Sequence, residues 1–545
     1  MKTDQTNLKA GSTRPNIILI LVDDMGYSDI GCYGSEVKTP NLDRLARQGM
    51  RFSSMYNAAR CCPTRASLLT GCYPHKAGIG HMIGDFGIES YRGRLLDENV
   101  TIAEALKSAG YDTLMSGKWH VGGDYDSRFT DQWNPGDEEH PVPLQRGFDR
   151  FYGLLDGASS YFNPHFIMED TKRVLPDCDD YYATDAFSRK AVDMIRDQQS
   201  SDNPFFLYLA YTAPHWPLHA PEEDIAKYEG SFKKGWDYHR GARMEELKAS
   251  GILKDGWNIS PRDPLVDSWE AVSDKSWEDR RMAVYAAQVE LLDKGVGQVL
   301  DELDRLEIAD DTVIMFLSDN GGCAELLAED GWARFYAGKS LDGRDVRLGN
   351  RTDLLPGDAT TFMSYDRGWS NLSNAPFRLH KRFVHEGGIS TPFIVRWPGE
   401  VEANSIAHKE CHVMDVLPTL LDILGVSSPT ERAGLSEAPK MDGESFLGCL
   451  QGRTEPRQTP IFWEHQGNAA IRNGEWKLVK THGGDWELYN MDDDRTEIKN
   501  LVEGNESIRE RLLRDYNAWA EYCDVRDWVE LEKMFQTLYP GSKLH

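Results

Sequence analysis

Short apolar runs that end abruptly in polar or charged residues constrain this chain most. They are Asn16–Val22, Asp112–Met115, Phe205–Ala210, Thr312–Leu317 and Pro392–Arg396. Runs this short, apolar on both faces, suit strands of a sheet covered on both sides, and the amphipathic stretches between them suit the covering helices. The sequence therefore predicts an α/β fold with a large, mainly parallel central sheet flanked by helices. Helices are expected from Val100 to Ala109, closing at Gly110, from Ala283 to Leu306, with Gly295 and Gly297 as weak points, and from Asp415 to Leu424.

A chain of 545 residues exceeds what one core usually organises, so a second domain is expected. The pattern changes after residue 425. Residues 426–439 are rich in Ser, Pro and Gly, like a linker. Beyond them Ile461–Trp463, Ala470–Arg472, Trp476–Val479 and Trp486–Tyr489 read as short strands separated by turn residues such as Asn473-Gly474. This gives a large domain over 14–425 and a smaller C-terminal α+β domain over 426–545, with an antiparallel sheet and a polar terminal helix.

With 40% hydrophobic residues and 15 Trp the chain can bury a core, which argues against disorder. Its net charge of −27 repels nucleic acid at long range, so no nucleic-acid partner is expected. No apolar run approaches the roughly 20 residues that span a bilayer, so no membrane partner is expected either. The opening MKTDQTNLKAGSTRPN has no apolar stretch, and the nine cysteines form no CxxC pair. Both favour a cytoplasmic protein with reduced thiols; a periplasmic or secreted one would need a leader removed before this numbering.

The residues that follow the apolar runs carry the chemistry. Val22 leads into Asp23-Asp24, Met115 towards Lys118-Trp119-His120, Ala210 towards Pro214-His215, and Leu317 through Ser318 into Asp319-Asn320. Ligands of open α/β sheets sit at the carboxyl ends of the strands, so these segments should converge. Asp23, Asp24, Asp319 and Asn320 are hard oxygen donors suited to one Ca²⁺, or Mg²⁺, rather than Zn²⁺. Carboxylates gathered so closely would repel without a cation. Alone, Asp23-Asp24 would serve equally as a turn or helix cap. Lys118 with His120 could be a solvated surface pair, and His215 a packed loop histidine.

The segment Cys61-Cys62-Pro63-Thr64-Arg65 narrows the reading. Pro63 suits the first position of a helix whose free N–H groups would face an anion, with Arg65 adding fixed positive charge. Cys61 could be a thiolate nucleophile lowered by the helix end, or an inert buried cysteine. Cys-x-Pro-x-Arg followed by Thr70-Gly71 resembles the formylglycine motif of type I sulfatases in the alkaline phosphatase superfamily. Asp23-Asp24-Met25-Gly26, Gly117-Lys118-Trp119-His120, Ser318-Asp319-Asn320-Gly321, His385-Glu-Gly-Gly388 and Trp397-Pro398-Gly399 extend the resemblance over most of the chain. The Pro376–Lys381 run and the Ala470–Val479 hairpin look most like bacterial arylsulfatases.

The resemblance implies that a maturation enzyme oxidises Cys61, not Cys62, to formylglycine. Its hydrated oxygen, a ligand of the cation through position 61, would attack sulfur in line. Arg65 would orient it, and Lys118 and Lys381 would clamp the sulfate. His215 would protonate the leaving oxygen, and His120 would take the proton that releases sulfate. Arg378 and Lys339 rival Lys381 as the clamp. The expected activity is hydrolysis of sulfate monoesters, aryl or carbohydrate, with a sulfated small molecule or sugar as partner. Residues 322–376, with Tyr365 or Trp369, and residues 221–250 are candidate walls of the site. Two readings compete: a phosphonate monoester or phosphodiester hydrolase with the same motif, and a silent sulfate- or glycan-binding protein whose Cys61 is never matured.

Overall fold

The computed structural model describes residues 14–124, 135–164, 167–176, 180–340, 342–427 and 440–538. Seven strands organise it: β1 (Asn16–Val22), β2 (Met50–Tyr56), β3 (Asp112–Gly117), β4 (Arg150–Leu154), β5 (Phe205–Ala210), β6 (Thr312–Ser318) and β7 (Ser390–Arg396). They belong to an eleven-stranded sheet with β6, β1, β5, β3 and β4 side by side and parallel. The predicted sheet is present.

Its core is two-sided. Ile18, Ile20 and Val22 enter one hydrophobic cluster, while Ile17, Leu19 and Leu21 enter another. Strict alternation between two buried faces is why this strand reads as a continuous apolar run. Strands β2 and β4 were not predicted, since polar residues such as Arg51, Ser53 and Ser54 interrupt the apolar pattern. Strand β7, where the Pro392 run lies, is antiparallel to both β6 and β2.

The cysteine segment forms helix α1 (Cys61–Thr70). The predicted helix from Ala283 starts earlier and forms α2 (Lys275–Arg305), one continuous rod. Its glycines are points of close packing: a Cβ on Gly295 would lie 2.2 Å from Oγ of Ser188. The helix expected before Gly425 is α3 (Val416–Leu424).

Of the predicted linker, residues 428–439 lie outside the described residues. Phe446 and Leu450 beyond it still pack into the large core. The antiparallel sheet then follows in sequence order as β8 (Ile461–His465), β9 (Asn468–Asn473), β10 (Trp476–Lys480) and β11 (Glu487–Asn490). Two terminal helices stand where one was expected: α4 (Glu506–Tyr522) and α5 (Trp528–Leu538). No described helix is long and apolar enough to cross a membrane.

A fully buried ionic cluster welds this small sheet to the large one. Lys477 of β10 bonds Glu386 and Glu497 at 2.8 Å each, and Arg495 bonds Glu386 at 2.8 Å. Tyr56 at the end of β2 donates to the same Glu386 carboxylate at 3.0 Å.

Candidate active site

The strand ends converge as the sequence predicts. The backbone N–H of Asp319 donates to Val22, that of Asp23 to Ala213, and that of Lys118 to Ala210. Asp23, Asp24, Lys118, His120, His215, Asp319, Asn320 and Lys381 are all buried within this region. Lys381 arrives from the turn before β7, where its N–H donates to the carbonyl of Gly322 at 3.1 Å.

Cys61 occupies the first position of α1, so Pro63 is the third helical residue and not the first. Its missing N–H still falls among the four that a helix start leaves unpaired. Thr64 closes the turn by accepting the N–H of Ala58 at 2.9 Å. A hydrogen bond from Cys62 holds the Cys61 thiol well below its ordinary range, helped by Lys118, His120 and Lys381.

Arg65 has fixed partners beside the helix start. Its guanidinium donates to Asp319 Oδ2 at 2.8 and 3.1 Å and to the carbonyl of Lys118 at 2.9 Å. It thus fixes a carboxylate and the Lys118 loop, and no hydrogen bond joins it to Cys61. Lys118 lies 2.5 Å from Asp23, and Lys381 lies 2.8 Å from Asp24. The rivals of Lys381 are elsewhere: Arg378 pairs with Glu487, and Lys339 is exposed beside Asp345.

The oxygen set fits a hard divalent cation. Asp23 Oδ1 and Asn320 Oδ1 are buried and accept no hydrogen bond among the described residues, a costly state for polar oxygens in a closed interior. Burial and the charge of Asp23 push the Asp319 carboxyl well above its usual range, which a cation would reverse. Three carboxylates face three cationic side chains here. A divalent ion would tip the balance positive, the sign that an anionic ester needs.

Both histidines are held below the ordinary imidazole range. Burial, then Lys118, lowers His120 to about 4. Burial also lowers His215, with Asp24 opposing. Nδ1 of His215 sits 2.6 Å from the carbonyl of Trp216, so it carries the proton. Its Nε2 is turned towards Asp24, 3.4 Å away. The His120 ring passes so close to residue 157 that a Cβ there would lie 2.6 Å from Nε2, which explains Gly157.

A cavity of about 160 Å³ opens onto Cys61, His120, His215 and Lys381. The expected 322–376 segment supplies part of its further walls through Glu325 and Tyr336, but not through the aromatics expected there. Trp369 is wholly buried among Phe232, Trp236 and Trp269, and Tyr365 stacks on Tyr285. Neither of these, nor any of residues 221–250, lines it. Tyr336, Trp216, Phe86 and Phe535 do, with Arg60 and Glu325. Arg60 pairs with one oxygen of Glu325 at 3.0 Å while Trp216 donates to the other at 3.0 Å. Phe535 comes from α5, whose Trp528, Leu531 and Phe535 share one helix face. That i, i+3, i+7 spacing was readable in the sequence; its destination was not.

A parallel α/β sheet that gathers carboxylates, lysines and histidines around a helix-start cysteine defines a hydrolase of anionic esters. The comparisons with known proteins make this specific. The sulfatase family model matches residues 15–426, and that for the C-terminal part of N-sulphoglucosamine sulphohydrolase matches residues 377–517. An uncharacterized sulfatase of Schizosaccharomyces pombe is 32% identical, covering 93% of each chain. The arylsulfatase of Klebsiella aerogenes is 35% identical over 83% of this chain and 95% of its own. The crystal structure of Ps i-CgsB in complex with k-i-k-neocarrahexaose is 26% identical, with a TM-score of 0.65 over 97% of this chain and 98% of that one. The phosphonate monoester hydrolase of Agrobacterium radiobacter, at 20% identity and a TM-score of 0.56 over 93% and 95%, shares the fold. The chain belongs to the sulfatase family, with the alkaline phosphatase fold. It is a sulfuric ester hydrolase.

Proposed function

We propose that Cys61, converted to formylglycine by a maturation enzyme, is the nucleophilic position. On this reading one Ca²⁺, with Mg²⁺ as the alternative, is held by Asp23, Asp24, Asp319, Asn320 and residue 61. When present, the cation neutralises charge on the sulfuryl group and the formylglycine supplies the attacking oxygen. The chain's own side chains do the rest. Lys118 and Lys381 bind the sulfate oxygens from two sides, and Arg65 fixes Asp319 and the Lys118 loop. His215 presents Nε2 to the leaving oxygen and, protonated, donates to it, while its Nδ1 is held by the Trp216 carbonyl. His120, neutral and buried, accepts a proton beside position 61.

The observation that carries this reading is one cavity in which Cys61 meets both histidines and Lys381, above three buried carboxylates. The leaving group would lie against Phe86, Trp216, Tyr336 and Phe535, surfaces that suit the ring of an aryl ester or the face of a sulfated sugar. A peptide-mass measurement across Cys61, followed by assays on sulfate, phosphate and phosphonate esters, tests the reading. Aldehyde at Cys61 with sulfate esters turned over fastest is the expected result. Faster phosphonate or phosphodiester turnover would replace it with the sister activity, and an unconverted Cys61 in the host would point to a binding protein.

A further inference from the structure

The cavity wall beside Cys61 carries an ion pair that the chemistry at position 61 leaves unused. Arg60 immediately precedes α1, and its carbonyl accepts the N–H of Thr64 at 2.9 Å, so its place next to Cys61 is fixed by the helix start. Its guanidinium lies 3.0 Å from one oxygen of Glu325, whose other oxygen receives the indole N–H of Trp216 at 3.0 Å. The Glu325 backbone is anchored as well, its carbonyl accepting the hydroxyl of Ser364. Both side chains line the cavity. Each keeps spare capacity. Nε of Arg60 is buried with no hydrogen-bond partner among the described residues, and 24% of the Glu325 side chain stays exposed. A guanidinium has more N–H donors, and a carboxylate more lone pairs, than these contacts use.

We propose that Arg60 and Glu325 are the specificity pair of the site, the guanidinium donating to and the carboxylate accepting from neighbouring hydroxyls of a neutral, polyhydroxylated leaving group such as a pyranose ring. This assignment rests on the ester hydrolysis at position 61 proposed above and names the alcohol it releases. Charge points to a neutral group. Lys381 is matched by Asp24 and Arg60 by Glu325. Against burial, which raises it, Arg60 and Lys381 hold the Glu325 carboxyl well below its usual range, so it is ionised. His81, which also lines the cavity, is lowered to about 3 by burial and then by Arg60 and Arg382, so it adds no positive charge near neutrality. A carboxylate or second sulfate on the leaving group would meet Glu325 as a like charge, and an ammonium would meet Arg60. An aryl ring would cover the spare donors and acceptors without replacing their bonds to solvent. A hydroxyl, both donor and acceptor, replaces them. Trp216 and Tyr336 beside the pair supply apolar surface for the face of a sugar ring.

The test compares kcat/KM of the matured full chain on cyclohexyl sulfate, on the monosulfates of cis- and trans-cyclohexane-1,2-diol, and on the monosulfates of methyl galactoside. Cyclohexyl sulfate keeps a six-membered ring and an alkoxide leaving group but has no neighbouring hydroxyl. The best hydroxylated ester should exceed it by roughly tenfold or more, since a site built to bond a hydroxyl rejects the analogue that lacks it. Glu325→Gln and Arg60→Gln should each bring that ratio close to one. Trp216→Phe keeps an aromatic ring but removes the bond that orients Glu325, and should lower the ratio less; it carries the test if Glu325→Gln does not fold. Three results would overturn the assignment: a parent that turns over cyclohexyl sulfate as fast as any hydroxylated ester, a sulfated methyl glucuronide turned over faster than the matching glucoside, or a hydroxyl preference that survives in folded Glu325→Gln. The ratio compares leaving groups on one protein, so it is independent of the peptide mass at Cys61. Absence of an aldehyde there would refute the nucleophile alone.

Discussion

The sulfur of Cys62 lies 3.2 Å from Nε2 of His120, so the second cysteine of the motif touches a histidine of the site. Cys61→Ala should abolish turnover while the protein stays folded. Cys62→Ala should keep conversion at Cys61 but lose one weak restraint on His120. A net hydrogen bond of about 1 kcal/mol corresponds to a fall in kcat/KM of roughly fivefold. Peptide mass and kcat/KM on the two variants check this; a reversal of their effects would move the modified position to Cys62.

The oxygen cluster leads to a prediction about metal. Chelation should remove activity, and Ca²⁺ or Mg²⁺ should restore it. Asp319→Ala should also lower thermal stability, because it strands the buried Arg65 guanidinium, which donates to Asp319 twice. Asp319→Asn keeps the shape but weakens both the ion pair and the cation site. Its melting temperature should therefore respond less to added Ca²⁺ than that of the parent. Full activity in metal-free protein would exclude the ion.

How much of this was legible depended on whether a residue's meaning was local. Asp23, Lys118 and Asp319 follow strands whose apolar runs announce themselves, and strand ends in such sheets face the ligand. Lys381 needed a family motif, because Arg378 and Lys339 looked equivalent until their partners were placed. The Asp319 partner of Arg65 was not legible, since spacing along a helix shows its face and not which carboxylate waits there. Tyr365 and Trp369 looked like pocket aromatics but fill the core. Phe535 carried no signal beyond an apolar stripe, because its role comes from docking α5 across the Phe86 loop. The same limit applied to Glu386, whose importance lies in Lys477 and Arg495 of another sheet.

That weld makes a stability prediction with a defined pH dependence. Against burial, which raises it, Lys477 and Arg495 bring the Glu386 carboxyl from 4.5 down to about 2. A depressed carboxyl contributes stability above its unfolded value and loses it as pH falls towards the folded one. The contribution should therefore be full near neutrality and fade between about 4.5 and 2. Lys477→Met leaves Glu386 and Glu497 short of a cation and should cost about 3–5 kcal/mol at neutral pH. It should also shift acid unfolding to higher pH. Denaturant titrations across this range check both effects; an unchanged acid limb would show that the cluster is not coupled to folding as described.

Helix α5 should influence which esters are accepted. Phe535 lies 5.9 Å from the ring of Phe86 at the cavity wall. Phe535→Ala removes an aromatic contact of about 0.5–1.5 kcal/mol, so KM for a naphthyl sulfate should rise several-fold relative to that for a short alkyl sulfate. An unchanged ratio would exclude Phe535 from the leaving-group side.

The proton at His215 gives the most discriminating test. Nδ1 is occupied by the Trp216 carbonyl at 2.6 Å, so only Nε2 can serve the leaving oxygen. Burial lowers the basicity of this ring, which makes its protonated form a stronger acid but a scarcer one. An activated phenolate departs as an anion, whereas an alkyl or sugar alkoxide needs the proton as the S–O bond breaks. His215→Ala should therefore slow alkyl and sugar sulfates at least 100-fold, the lower end of general acid catalysis, and activated aryl sulfates far less. His120→Ala should slow both classes alike, since its proton transfer does not involve the leaving group. Single-turnover rates over a series of leaving groups isolate the step in question. A parent-like slope in His215→Ala would assign the acid elsewhere, with the ammonium of Lys381 as the next candidate.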